Sequence, residues 1–144
     1  MTAIPIFRQP DAAQVRRLAE LAGLPTADLA AADLSHFFGC GAMDRPHGVV
    51  GLELLGTEAL LRSLAVDAGA RGSGNGRALV AAAEQHARGS GVGSIYLLTT
   101  TAAGFFERLG YARVEREGEP PAIRRTREFG ELCPASATFM VKHL

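Results

Sequence analysis

The chain has no tryptophan, and Lys142 is its only lysine among 15 basic residues. Cysteine is almost as scarce. Cys40 and Cys133 stand far apart and neither has a CxxC partner, which excludes a disulfide framework and the common zinc spacings. His36, His47, His86 and His143 show no HxH or HxxxH spacing, so no metal site is expected. Charge of one sign is lacking too: 15 basic against 15 acidic residues give a formal net charge of +0. Without a basic excess, nucleic acid is not the expected partner. No apolar run is long enough to span a bilayer. Met1 to Ile6 shows no basic stretch leading into an apolar one, so the expectation is a cytoplasmic chain with free thiols and no membrane partner. The predominance of arginine reads as base composition, although a guanidinium also suits fixed pairing with anions.

What is present is an ordinary globular composition. With 144 residues, 47% hydrophobic and 21% charged, the chain reads as one domain over 1–144 with a real core. Ile4 to Arg8 reads as a strand. Asp11 and Gln14 resemble a capping box that opens a helix through about Ala22 and stops at Gly23. Thr26 caps a second helix through about Leu34. His36 to Cys40 and Val49 to Leu55 read as strands. Gly56-Thr57 is a two-residue hairpin turn into a strand from Ala59 to Val66. Gly76 to Arg88 is an Ala-rich helix closed by Gly89-Ser90-Gly91. Ser94 to Thr99 is an apolar strand of parallel-sheet character. Thr100 or Thr101 caps a helix through Leu109. Tyr111 to Glu115 and Thr138 to His143 are strands, with a helix from Pro121 to Leu132 between them. This is a mixed α/β sheet without repeats or linkers.

The segment Arg71-Gly72-Ser73-Gly74-Asn75-Gly76-Arg77 lies between a strand and a helix. Its alternate glycines leave backbone N–H groups open to close approach. The helix start adds unpaired donors and a positive dipole end. Together they form an anion cradle suited to a pyrophosphate. A dinucleotide loop needs G-x-G-x-x-G/A and a later acidic residue. Counting from Gly72 the sixth position is Arg77, from Gly74 it is Leu79, and no Asp or Glu follows near Leu98. A Walker loop needs Gly-Lys-Ser/Thr, and no lysine is near.

The block Leu64-Ala65-Val66-Asp67, a short gap and then Arg71-Gly72-Ser73-Gly74-Asn75-Gly76 resembles the GNAT acyltransferases. Phe105-Phe106-Glu107-Arg108-Leu109-Gly110-Tyr111 resembles that family's second block in spacing and order. The resemblance runs from about Gly48 onward. It implies the GNAT fold: a mostly antiparallel central sheet flanked by helices, with splayed parallel strands at the acetyl-CoA site. A tighter similarity, in Gly51-Leu52-Glu53, Leu60 to Leu64, Leu97 to Ala102 and Leu132 to Ala137, is to the small subgroup associated with bacterial arsenic resistance.

The resemblance implies an acetyl-CoA-dependent N-acetyltransferase. Leu64, Ala65 and Val66 would lie along the acetyl and pantetheine arm, and Arg71, Gly72, Ser73, Gly74, Asn75, Gly76 and Arg77 would hold the pyrophosphate. The acceptor expected is a small-molecule amine, amino-acid-like or linked to arsenic. If Gly56-Thr57 is the turn, Glu53 faces Leu60, and Glu53, Leu60 and Arg62 share one face. Some GNAT enzymes carry a catalytic Glu where this chain has Leu60, so Glu53 becomes the candidate base. Arg62 either pairs with Glu53 as a structural bridge or holds a substrate carboxylate. Phe106 stands where family members often carry a proton-donating tyrosine. It cannot donate, but it can pack against the pantetheine. Arg125 is a candidate for holding a carboxylate, and Cys133 has the thiol that arsenic favours, although a lone cysteine is usually a buried hydrophobe. Two other readings stay open: an acyl-CoA-binding sensor without turnover, and a protein N-acetyltransferase. A homodimer is also left open.

Overall fold

The computed structural model describes residues 4–24, 26, 27, 29, 34–126 and 136–144. Its strands are β1 (Ile6–Arg8), β2 (Phe37–Gly41), β3 (Pro46–Leu55), β4 (Glu58–Val66), β5 (Ser94–Thr99), β6 (Ala112–Arg113) and β7 (Thr138–His143). Its helices are α1 (Ala12–Leu21), α2 (Asn75–Gly89), α3 (Ala103–Arg108) and α4 (Pro121–Arg124). The strands form a 7-stranded sheet in the order β1-β2-β3-β4-β5-β7-β6. Every pairing is antiparallel except β4 with β5. This is the mixed, mostly antiparallel sheet that the resemblance implied.

Local chemistry accounts for the register. Gly56 takes φ +76, a conformation costly for residues with a Cβ, and closes the two-residue turn. Leu55 then faces Glu58 and Glu53 faces Leu60, as the turn length predicts. Gly51 is bare because the Phe37 ring occupies the place its Cβ would take. On one face of the sheet, α2 buries Leu79, Val80, Ala83 and Ala87 against Val50, Leu52, Ile95, Leu97 and Met140. On the other, α1 sets Val15, Leu18 and Ala19 against Phe37, Val49 and Ala65. Further along that face Ile123 of α4 packs with Leu60, Leu98 and Phe139. No described helix is long and apolar enough to cross a membrane.

Several element boundaries differ from the sequence expectation. Asp11 caps α1 by accepting from Ala13 N at 3.1 Å, but the Gln14 amide oxygen accepts from Arg17 Nε at 2.8 Å, so only half of a capping box forms. Neither Thr100 nor Thr101 caps α3. Thr99 Oγ1 does the local work, accepting from Ala102 N at 2.9 Å, because Ala102 is the residue before the helix. The strand expected over Tyr111 to Glu115 is reduced to Ala112–Arg113, with Tyr111 turned into the core and Val114 N still donating to Phe139 O of β7 at 2.9 Å. The helix expected from Pro121 runs to Arg124, and residues 127–135 lie outside the described residues. Most of the helix expected after Thr26 also lies outside them. His86 Nε2 on α2 meets His36 Nδ1 at 3.1 Å, and burial, Arg8 and His36 push the His86 pKa down.

One buried polar group stands inside the apolar face of α2. Glu84 is buried, and both its oxygens accept from Lys142 Nζ at 3.1 Å. Tyr111 donates its hydroxyl to Glu84 at 3.0 Å, and Lys142 also donates to Leu109 O at 2.8 Å. The chain's only lysine thus spends its donors on two elements that must stay in register. Removing it strands a carboxylate in the core. Lys142→Ala is expected to lower unfolding free energy by about 3 kcal/mol, measured by urea denaturation. Glu84→Gln, which removes the stranded charge, is expected to recover part of that loss in the Lys142→Ala background.

Candidate functional site

β4 holds β5 through Glu58–Ser94, Ala59–Ile95 and Leu60–Tyr96, and the pairing stops there. β5 stays paired with β7 along its whole length, from Ser94–His143 to Thr99–Thr138. The two parallel strands therefore diverge, and a cleft of about 1360 Å³ opens between them. Leu61 to Val66 form one wall and Leu97 to Ala102 the other. The backbone on the cleft edge of β4 thus leaves its neighbouring strand without closing a ladder.

The other edge of β4 is irregular as well. Val49 faces Ala65 but Gly51 faces Arg62, so Ser63 and Leu64 share the place opposite Val50. This is a β-bulge. Ser63 takes φ +57, a left-handed conformation that costs a residue with a Cβ about 1–2 kcal/mol. It is buried at 7% exposure, borders the cleft, and its Oγ accepts from Arg62 Nε at 3.2 Å.

At the wide end of the cleft lies the glycine loop. Asp67 accepts from Gly69 N at 3.2 Å and so tightens the turn after β4. Asn75 Nδ2 donates to Ala70 O at 2.8 Å, and Arg71 Nε donates to Val66 O at 3.1 Å. These bonds fix the loop from within. Gly72 and Gly74 take φ +82 and +84, and Gly74 is the residue from which α2 starts. At Gly76 a Cβ would come to 3.2 Å from Phe105 Cζ. Arg71, Gly72, Gly74, Asn75, Gly76 and Arg77 border the cleft together with Arg108, while Ser73 is an exposed loop residue outside that lining. The 15-residue α2 points its positive end at the same space.

The face of β3 and β4 away from α2 carries the charged pair. Arg62 is 2% exposed, and its Nη1 lies 3.7 Å from Glu53 Oε1. The bridge read as one alternative from sequence is therefore formed. Arg62 also borders the cleft, whereas Glu53, with a side chain about one-third exposed, stands beyond it. Phe106 is buried, sets its ring edge-on to Phe105 and Tyr111 at centroid distances of 5.1 and 5.5 Å, and still borders the cleft. Among the described residues no tyrosine borders it. Tyr111 is turned to Glu84, with burial pushing its phenol up, and Tyr96 stacks on Phe139 at 5.5 Å. Arg125 is exposed just after α4, away from the cleft lining. Cys133 lies outside the described residues, among which no three His, Cys, Asp or Glu come together as a metal site.

Sequence reasoning missed Ser63, Phe105 and Arg108. Ser63 carries no motif, because a bulge is a matter of register between two strands. Phe105 and Arg108 stand inside the second block and were passed over for Phe106.

Loop conformation makes a simple prediction. Gly74→Ala is expected to cost about 1 kcal/mol of stability, since its φ suits only glycine. Gly89→Ala, where a Cβ meets nothing within 4 Å, is expected to be neutral or stabilising by up to about 1 kcal/mol. Denaturant midpoints of the two variants check the contrast.

Residues 32–113 match the model of the acetyltransferase (GNAT) domain. An uncharacterized N-acetyltransferase of Chlorobaculum tepidum is 43% identical over 67 residues, which cover 46% of this chain and 43% of that protein. The aligned stretch is thus less than half the length of that curated relative. Among solved structures, the N-acetylglutamate synthase of Neisseria gonorrhoeae, complexed with coenzyme A and N-acetyl-glutamate, superposes with TM-score 0.80 at 21% identity, covering 100% of this chain and 36% of that one. A Mycobacterium tuberculosis protein in complex with CoA and a second ligand superposes with TM-score 0.77 at 21% identity, covering 97% and 99%. At these identities the structures speak for the fold. The family rests on the matched domain, which spans more than half of the chain and contains the diverging strands and the glycine loop: the protein belongs to the GNAT acetyltransferase family.

Proposed function

We propose that the protein is an acetyl-CoA-dependent N-acetyltransferase whose acceptor is a small amine bearing a carboxylate. The observation that carries this reading is one cleft with an anion cradle at its wide end and a buried arginine toward its closed end. The residues present fit the donor. Bare glycine backbone, the start of α2, Arg71 and Arg77 suit a pyrophosphate. The apolar wall of Leu64, Ala65, Val66 and Phe106 suits a pantetheine arm. Acetyl-CoA supplies an acyl group already activated as a thioester.

The chain supplies the rest. Backbone N–H groups alternate in direction along β4, so Leu64 and Val66, and not Ala65, which faces Val49 of β3, offer theirs on the open edge toward the acyl group. An amine attacks only when neutral, and the role assigned to Glu53, which stands beyond the cleft and is bridged to Arg62, is to take its proton through water. Arg62 beside it offers a planar fork for the acceptor's carboxylate. With Phe106 in place of a tyrosine and no phenol among the described residues bordering the cleft, the thiolate leaves without a phenolic donor. A thiolate, with pKa near about 8.5, is a tolerable leaving group. Of the segments that resemble the arsenic-associated subgroup, Leu97 to Ala102 borders the cleft, whereas Gly51-Leu52-Glu53 lies on β3 behind β4. They make amino-acid-like arsenicals acceptors worth assaying beside ordinary amino acids.

CoA at about a hundred times its dissociation constant is expected to stabilise the fold by about 2.7 kcal/mol, read as a rise in melting temperature. No stabilisation by CoA or acetyl-CoA contradicts the assignment. In a panel of amino acids, a carboxylate-bearing primary amine is expected to drive release of CoA thiol from acetyl-CoA. Glu53→Gln is expected to lose turnover by roughly 10²–10⁴-fold while keeping CoA affinity. Phe106 favours one second reading, a CoA-binding module without turnover, and CoA binding without thiol release across the panel identifies it.

A further inference from the structure

Ser63 has three properties that a wall residue does not need. It occupies the bulge position that glycine fills without strain, at φ +57. It is buried yet borders the cleft. Its Oγ accepts from the Nε of Arg62, which is itself 2% exposed. A hydroxyl that accepts through a lone pair still has its own proton to give. Among the described residues no acceptor takes the Ser63 proton. A donor held on a cation is a stronger donor, because the incoming charged N–H polarises the O–H. The hydroxyl also sits three residues beyond Leu60, the last residue of β4 paired to β5. It is therefore midway along the β4 wall, between the closed end at Leu60 and the turn after Val66 that leads to the pyrophosphate loop.

Building on the acetyltransferase reading, we propose that the Ser63 hydroxyl is a hydrogen-bond donor to the acyl carbonyl oxygen of the donor thioester. As the amine nitrogen bonds to the acyl carbon and the C–S bond breaks, negative charge gathers on that oxygen before returning to the carbonyl. Ser63 gives a hydrogen bond and keeps its proton. The amine's proton leaves toward Glu53 or water, and the sulfur departs with the bonding electrons. Ser63 thereby supplements the backbone N–H groups of β4, and Arg62 is its positioning residue as well as a partner of Glu53. The strain at Ser63 is then the consequence of a hydroxyl being required where a glycine would be relaxed.

The test compares wild type, Ser63→Ala and Ser63→Gly. Ser63→Gly relieves the backbone, so its melting temperature is expected at or above that of wild type. The first readout is the infrared carbonyl band of bound, isotope-labelled acetyl-CoA. In wild type the band lies at lower frequency than in solution, and in both variants it moves back toward the solution value. The second is calorimetric affinity for CoA, which has no acyl carbonyl and is expected to change less than twofold. The third is kcat, expected to fall on the order of a hundredfold in both variants. A carbonyl band identical in all three proteins, with CoA bound equally, overturns the donor role and leaves the acetyltransferase reading intact. Failure of wild type to bind CoA overturns that reading and this inference together.

Discussion

The arrangement depends on a short parallel contact. β4 and β5 share only the pairs from Glu58–Ser94 to Leu60–Tyr96, while β5 is paired with β7 along its whole length and β4 with β3 except at the bulge of Ser63 and Leu64. Backbone groups that leave one ladder must be satisfied elsewhere. Here the separation occurs at the rim of a cleft, where solvent or a ligand can satisfy them. A longer parallel ladder would fill the cleft with sheet. A shorter one would free β5 to slide against β4, since little else couples the two strands directly.

Other features act on the geometry of that opening. The bulge at Ser63 and Leu64 re-aims β4 as it leaves β5, and the turn after Val66 places the glycine loop at the far end. From Gly74 the helix α2 returns across the sheet, so the same residues end the loop and begin a packed core helix. Phe105 packs against Gly76 and closes the distance between α3 and the start of α2, where an added Cβ would sit 3.2 Å from Phe105 Cζ and push the ring back by a few tenths of an ångström. Deeper in the core, Lys142, Glu84 and Tyr111 tie α2 to β7 and to the end of α3 through charge-assisted bonds. That group gives an apolar interface one fixed register.

Much of this was legible in the residues. The turn at Gly56-Thr57 fixed the facing of Glu53 and Leu60, because a two-residue loop leaves a single pairing. The glycine loop announced itself by spacing, since the left-handed φ at Gly72 and Gly74 favours a residue without a Cβ and the approach of Phe105 leaves little room for one at Gly76. The sequence does not select the threonine before α3, because Thr99, Thr100 and Thr101 are chemically alike and only the backbone path chooses Thr99. The extent of β6 could not be read from Tyr111 to Glu115, whose alternation resembles a strand although tertiary packing takes Tyr111 into the core. Ser63 was invisible for a related reason: in sequence it is one more small residue in an apolar strand. Its bulge arises from two strands in different register. Glu84 and Lys142 are 58 residues apart and meet only in the folded chain.

The central claim is that the diverging stretch of β4 and the glycine loop act as one ligand-binding surface. Amide hydrogen exchange, followed by mass spectrometry with and without CoA, tests it most directly. Protection by CoA is expected in peptides spanning residues 61–66 and 71–78, together, with little change across β1 and β2. Protection confined to one of those two segments, or absent from both while CoA is bound, contradicts the account.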